Sequence, residues 1–161
     1  MMKVYIIAAS DNISFAEKLL NNIRNVKIIT RLSVDGIGLG NNVALKQKME
    51  NADVILVIID DKFSDSMYLN LELQLAQMLV QENRNRMLLP VILNKVNVPK
   101  CIEEILYISC DSKSEEDLSK AQRMIEKVLT HRKFYVRKTN GNEVRSKTSS
   151  MIILTLAIEM F

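Results

Sequence analysis

The chain alternates between short, almost wholly apolar runs and longer stretches in which apolar residues recur every three or four positions. The apolar runs are residues 3–9, 26–32, 54–60, 86–95 and 105–110, rich in Val, Ile and Leu. Runs of this length without polar alternation fit strands of a parallel sheet buried on both faces. Between them, residues 13–26, 42–52, 68–84 and 114–131 carry the helical period. Phe15, Leu19, Leu20 and Ile23 fall on one face of the first helix, and Val43, Leu45 and Met49 on one face of the second. Ser10, Asp11 and Asn12 suit the turn and cap before the first helix, and Ser114 suits the cap of the last, whose first turn is acidic and last turn basic. Residues 96–104 contain Pro99 and predict at most a short helical turn. Pro90 implies that the fourth strand lies at a sheet edge, carries a bulge or starts there. The alternation predicts an α/β fold, a flavodoxin-like, doubly wound five-stranded parallel sheet with order 2-1-3-4-5 and right-handed crossovers.

The organising stretch is residues 53–80, DVILVIIDDKFSDSMYLNLELQLAQMLV. A buried strand is followed by a helix whose Leu69, Leu73, Ala76 and Val80 share a face, with Leu71, Leu75 and Leu79 beside them. Glu72 sits among them in the first turns. A carboxylate near the start of an apolar helix, just past the carboxyl end of a buried strand, stands where open α/β sheets bind ligands. Its neighbours form a spaced pattern: Phe63, two residues, Ser66, one residue, Tyr68, three residues, Glu72, three residues, Ala76. In this pattern the chain resembles the TIR (Toll/interleukin-1 receptor) domain family, over roughly residues 3–133.

The resemblance implies a TIR-like domain over residues 1–133 with Glu72 as the catalytic residue of the NAD-cleaving members. The implied activity is that of an NAD+ nucleosidase (NAD+ glycohydrolase) releasing nicotinamide and linear or cyclic ADP-ribose. It also implies activation by self-association, contacts with other TIR domains, and a role in immune or cell-death signalling. NAD+ enters as substrate, with no cofactor and no metal. Breaking the bond between C1 of the nicotinamide ribose and the pyridinium nitrogen passes through an oxocarbenium-like state that needs a nearby anion. One carboxylate suffices, because nicotinamide leaves neutral. Tyr68, one helical turn before Glu72, would border the ribose or nicotinamide, and Ser66 would hydrogen-bond in the same mouth. Ser10 and Asp11, after the first strand, are carried over as pocket positions, and Arg31 would meet a phosphate or a carboxylate.

Residues 34–42, VDGIGLGNN, hold Gly36, Gly38 and Gly40, three of the four glycines in the chain. The segment contains GIGLG without the spacing of a dinucleotide fingerprint, and it follows the second strand rather than the first. In the resemblance it is the loop that contacts neighbouring domains and shapes the nucleotide pocket, with Gly38 among the substrate-binding positions. The proline often found there in the family is missing.

Length and composition narrow the rest. At 161 residues the chain is one domain by the usual prior, and its 25% charged and 48% hydrophobic residues exclude a disordered or multi-span membrane protein. Cys101 and Cys110 are too few for a disulfide framework, and His131 is the one histidine, so a reduced, cytoplasmic protein is expected. The apolar start, Val4 to Ala9, is shorter than a secretory core segment. The net charge of +3 is uneven: residues 1–131 carry 16 basic and 17 acidic side chains, and residues 132–161 carry 6 and 2. A basic tail over 134–161 follows, with no nucleic-acid partner expected. Its apolar end, 151–161, is too short to span a bilayer as a helix. Three readings of that end stay open: a strand or helix that covers the domain, a self-association segment, or the start of a longer region.

Two rival functions stand beside the enzyme. One is a non-catalytic TIR adaptor that signals through homotypic contacts. The other is a phospho-accepting receiver of the same fold class, imitated by Asp11, Asp60 or Asp61, and Lys95; that chemistry needs acids after the first strand and a lysine after the last, whereas Lys95 follows the fourth strand and only one acid follows the first.

Overall fold

The structure, a computed structural model, describes residues 1–31, 41–94, 96–103, 105–132 and 135. Five parallel strands form one sheet: β1 (Met2–Ile7), β2 (Val26–Ile29), β3 (Val54–Ile59), β4 (Met87–Leu93) and β5 (Ile108–Cys110). Their order is β2-β1-β3-β4-β5, the expected doubly wound arrangement. The reversal of winding falls between β1 and β3, whose paired residues run from Val4 with Val54 to Ile7 with Val57.

Because successive strand residues point to opposite faces, β1 divides its side chains between two cores. Val4, Ile6 and Ala8 pack with α1 (Ile13–Leu20) and α4 (Glu115–Thr130). Tyr5 and Ile7 pack on the other face, with α2 (Asn41–Glu50) and α3 (Met67–Glu82). All six residues of β3 and all seven of β4 are buried, as strands covered by helices on both faces require. Tyr135 lies in the α1/α4 core at 1% exposure, so that core reaches past residue 133.

Several boundaries differ from expectation. The first helix stops at Leu20, well short of 26, and Asn25 takes φ 60° immediately before β2. Asparagine tolerates this left-handed conformation better than most residues, and the chain uses it to turn back into the sheet. Pro90 is neither at the start of β4 nor on an outer strand. It pairs with Val57, while the β4–β5 pairing begins one residue later at Val91, so β4 has a single strand neighbour at the proline. β5 is shorter than the apolar run that predicts it, starting at Ile108. A 3-10 turn at Lys100–Ile102 fills the segment that carries Pro99.

Arg86 is buried and ties three elements together. Its guanidinium donates to the carbonyls of Ala52 at 3.1 Å, Leu79 at 2.7 Å and Glu50 at 2.8 Å, pinning the ends of α2 and α3 to the start of β4. The Ser114 hydroxyl accepts the Asp117 N–H at 3.2 Å and caps α4. Ser114→Ala is expected to cost about 1 kcal/mol of stability, read from the midpoint of chemical unfolding; an unchanged midpoint would show that the acidic first turn suffices without the cap.

Candidate functional site

The carboxyl ends of β1 and β3 open side by side at the winding reversal, the position where open α/β sheets place ligands. A 3-10 turn at Phe63–Asp65 carries the chain from β3 to α3. Phe63 is buried and anchors it, and the Asn70 amide donates to the carbonyls of Phe63, Ser64 and Ser66 at 3.1, 3.3 and 2.8 Å. Ser66 caps α3, its hydroxyl accepting the Leu69 N–H at 3.2 Å. These bonds fix the rotation of α3 about its axis, and that rotation turns Glu72 toward the sheet.

Glu72 is 0% exposed, the one buried carboxylate among the described residues. Burial of an acid costs free energy unless its oxygens find partners, and both do. Oε2 accepts the Tyr5 hydroxyl at 3.2 Å, and Oε1 lies 3.4 Å from Nη1 of Arg31. Arg31 is itself held from β1: the same Nη1 donates to the Ala8 carbonyl at 2.7 Å, and Nη2 donates to the Ser10 hydroxyl at 3.1 Å. The shorter bond is to the backbone, so the guanidinium is anchored independently of the carboxylate. Its Cζ also stands 5.6 Å from the centroid of the Tyr68 ring, and Lys48 of α2 donates to the Arg31 carbonyl at 3.1 Å.

Burial raises the Glu72 pKa from its ordinary 4.5 to about 7, against the opposing pull of the Arg31 charge and of the hydrogen bonds from Tyr5 and Arg31. The Tyr5 phenol is pushed upward too, first by burial and then by the Glu72 charge, so it stays a donor. A carboxyl group poised near neutrality in a sheet mouth can face a developing cation or hold a proton.

Of the residues singled out from sequence, the fold brings Glu72, Arg31, Ser10 and Tyr68 into one cluster. Asp11 is exposed on the turn Ser10–Asn12. The Ser66 oxygen is engaged as a helix cap, and Gly38 lies outside the described residues, as do Lys95 and the segment 151–161. Asp60 accepts from the Asn12 amide at 2.8 Å and from the Lys62 N–H at 3.1 Å. Tyr5 is the member sequence reasoning missed. Its signal is a phenol in the middle of a buried strand, since a buried hydroxyl needs a partner.

A separate cavity of about 380 Å³ opens at the other end of the sheet mouth, lined by Asn94, Ser109, Cys110, Asp111, Lys113 and Asp117. The Cys110 thiol there is pushed up to about 11 by burial and the nearby aspartates, which keeps it protonated at neutral pH. Among the described residues no group of three His, Cys, Asp or Glu side chains could hold a metal ion, and no helix is long and apolar enough to cross a membrane.

Fold and site together define a doubly wound α/β domain with a buried acid at its winding reversal. Residues 4–125 match the family model of the TIR domain. The chain belongs to the TIR domain family. No curated protein matches it. A similar solved structure is the TIR domain of the Toll-related receptor TRR-2 from Hydra magnipapillata, 16% identical, with a TM-score of 0.56, covering 83% of this chain and 97% of that one.

Proposed function

We propose that this TIR domain is an NAD+ nucleosidase that releases nicotinamide and linear or cyclic ADP-ribose and is activated by self-association. The observation that carries the proposal is Glu72, a fully buried carboxylate at the winding reversal with a cation and a phenol on its two oxygens. Burying an ionisable group beside a single guanidinium is an expensive way to pack a helix, since apolar residues do it better. In the reaction the C1–N bond of the nicotinamide ribose breaks, its electron pair goes to the ring nitrogen, and neutral nicotinamide departs. Glu72 faces the cation left at C1, and water or another nucleophile adds there. The ribose reaches Oε1 by taking the place of Arg31, whose guanidinium is then available to the diphosphate. Tyr68, half-exposed beside Arg31, borders the base or ribose.

A second reading is favoured by the closure of the site. Glu72 has no exposed surface and both oxygens are engaged, as in a structural acid, while Met67, Leu71 and Met78 of α3 are more than half exposed and offer apolar area for a partner. On that reading the chain is an adaptor that binds other TIR domains. A concentration series separates the two. If assembly opens the site, nicotinamide released per molecule rises with protein concentration. Strict proportionality from dilute to concentrated solution would describe a self-sufficient monomer, and no release at any concentration would leave the adaptor.

A further inference from the structure

We infer that Tyr5 is a positioning residue for Glu72: from β1 its phenol fixes Oε2, so that Oε1 alone is exchanged between Arg31 and a ligand. Its part in turnover rests on the nucleosidase reading above, but its hold on Glu72 does not. The two partners of the carboxylate differ in burial and in distance from it. The Tyr5 backbone pairs with Ile29 on one side and Ile55 on the other, and its side chain is 0% exposed. Arg31 follows the end of β2, has a long side chain that is 16% exposed, and makes the longer contact of the two. The ring alone would fill the same core position as phenylalanine; the hydroxyl adds a donor aimed at Glu72.

The groups facing the carboxylate come from each element around it. They are Tyr5 from β1 and Arg31 after β2, and Arg31 is met in turn by Tyr68, one turn earlier on α3, and by Lys48 of α2 on its carbonyl. β3 contributes apolar Ile55 and Val57 to this face. Tyr5 and Arg31 both favour the ionised carboxylate, against burial. Removing the phenol hydroxyl therefore makes the acid harder to ionise.

The test is the titration of Glu72 in the whole chain, followed by carbon-13 NMR of labelled glutamate carboxyls and assigned by the signal lost in Glu72→Gln. In Tyr5→Phe the Glu72 midpoint is expected to move up by about one pH unit, the usual reach of a hydrogen bond to a charged group. Placing 3-fluorotyrosine at position 5, a stronger donor of nearly the same size, moves it down, and this second variant decides the matter if Tyr5→Phe folds poorly. If the parent cleaves NAD, the acid limb of its rate moves with the titration in both variants. An unmoved midpoint in both variants would overturn the role of Tyr5. Absence of nicotinamide release from the parent would defeat the nucleosidase reading, and the titration would still decide Tyr5.

Discussion

Glu72→Gln is expected to be more resistant to denaturant than the parent above pH 7, with the difference closing as the pH falls toward 4.5. The folded parent holds the Glu72 proton up to about pH 7, whereas the unfolded chain releases it near 4.5. Between those values the folded state binds more protons than the unfolded one, so stability falls as pH rises. The interval corresponds to about 3 kcal/mol, and the side chain has no exposed surface through which solvent would screen it. Glutamine has no such titration, and the remaining acids are common to both proteins and cancel in the comparison. Unfolding curves of the two proteins from pH 4 to pH 9 check this. A gap between them that does not change with pH would mean that Glu72 titrates as a solvated acid and that the site is not poised as described.

The same substitution is expected to lower NAD cleavage by two or more orders of magnitude. Glutamine keeps the size, and its carbonyl oxygen can still accept from Arg31 while its NH2 donates to the Tyr5 oxygen, so substrate binding is largely preserved. It removes the negative charge that matters once C1 becomes cationic, and this loss falls on kcat rather than KM. Electrostatic stabilisation of roughly 3 kcal/mol corresponds to about a hundredfold in rate. Stability and turnover then move in opposite directions, which a merely structural glutamate does not do. A variant that cleaves NAD at the parent rate would remove Glu72 from the reaction.

Which parts of this were readable from residues follows from the physics of each. The strands were legible because a parallel sheet covered on both faces needs runs such as VILVII of β3, which few other settings tolerate. Their order followed from the alternation with helices. Glu72 stood out because a charge interrupts a buried helical stripe, and Arg31, Ser10 and Tyr68 were legible as neighbours in one mouth. Tyr5 was legible only in part: a phenol in a buried strand needs a partner, but its place in an apolar run does not say that the partner is on a helix far along the chain. Ser66 shows the converse: a hydroxyl near the mouth serves the helix N-terminus, because the orphan N–H groups of α3 are its nearest unsatisfied donors. Pro90 was misplaced because its tolerance depends on where β5 begins, and the pairing starting at Val91 with Ile108 is set by tertiary packing. The turn into β2 rests on Asn25, whose positive φ is an option that sequence offers but does not impose.

The central claim is that the Glu72 carboxylate, held between Tyr5 and Arg31, supports cleavage of the nicotinamide–ribose bond. Its most direct test is to incubate the concentrated protein with NAD+ across neutral pH and quantify free nicotinamide by chromatography. Time-dependent release that strengthens as the pH rises through about 7, where Glu72 ionises, is the predicted result. NAD+ left intact by protein at every pH and concentration would contradict it.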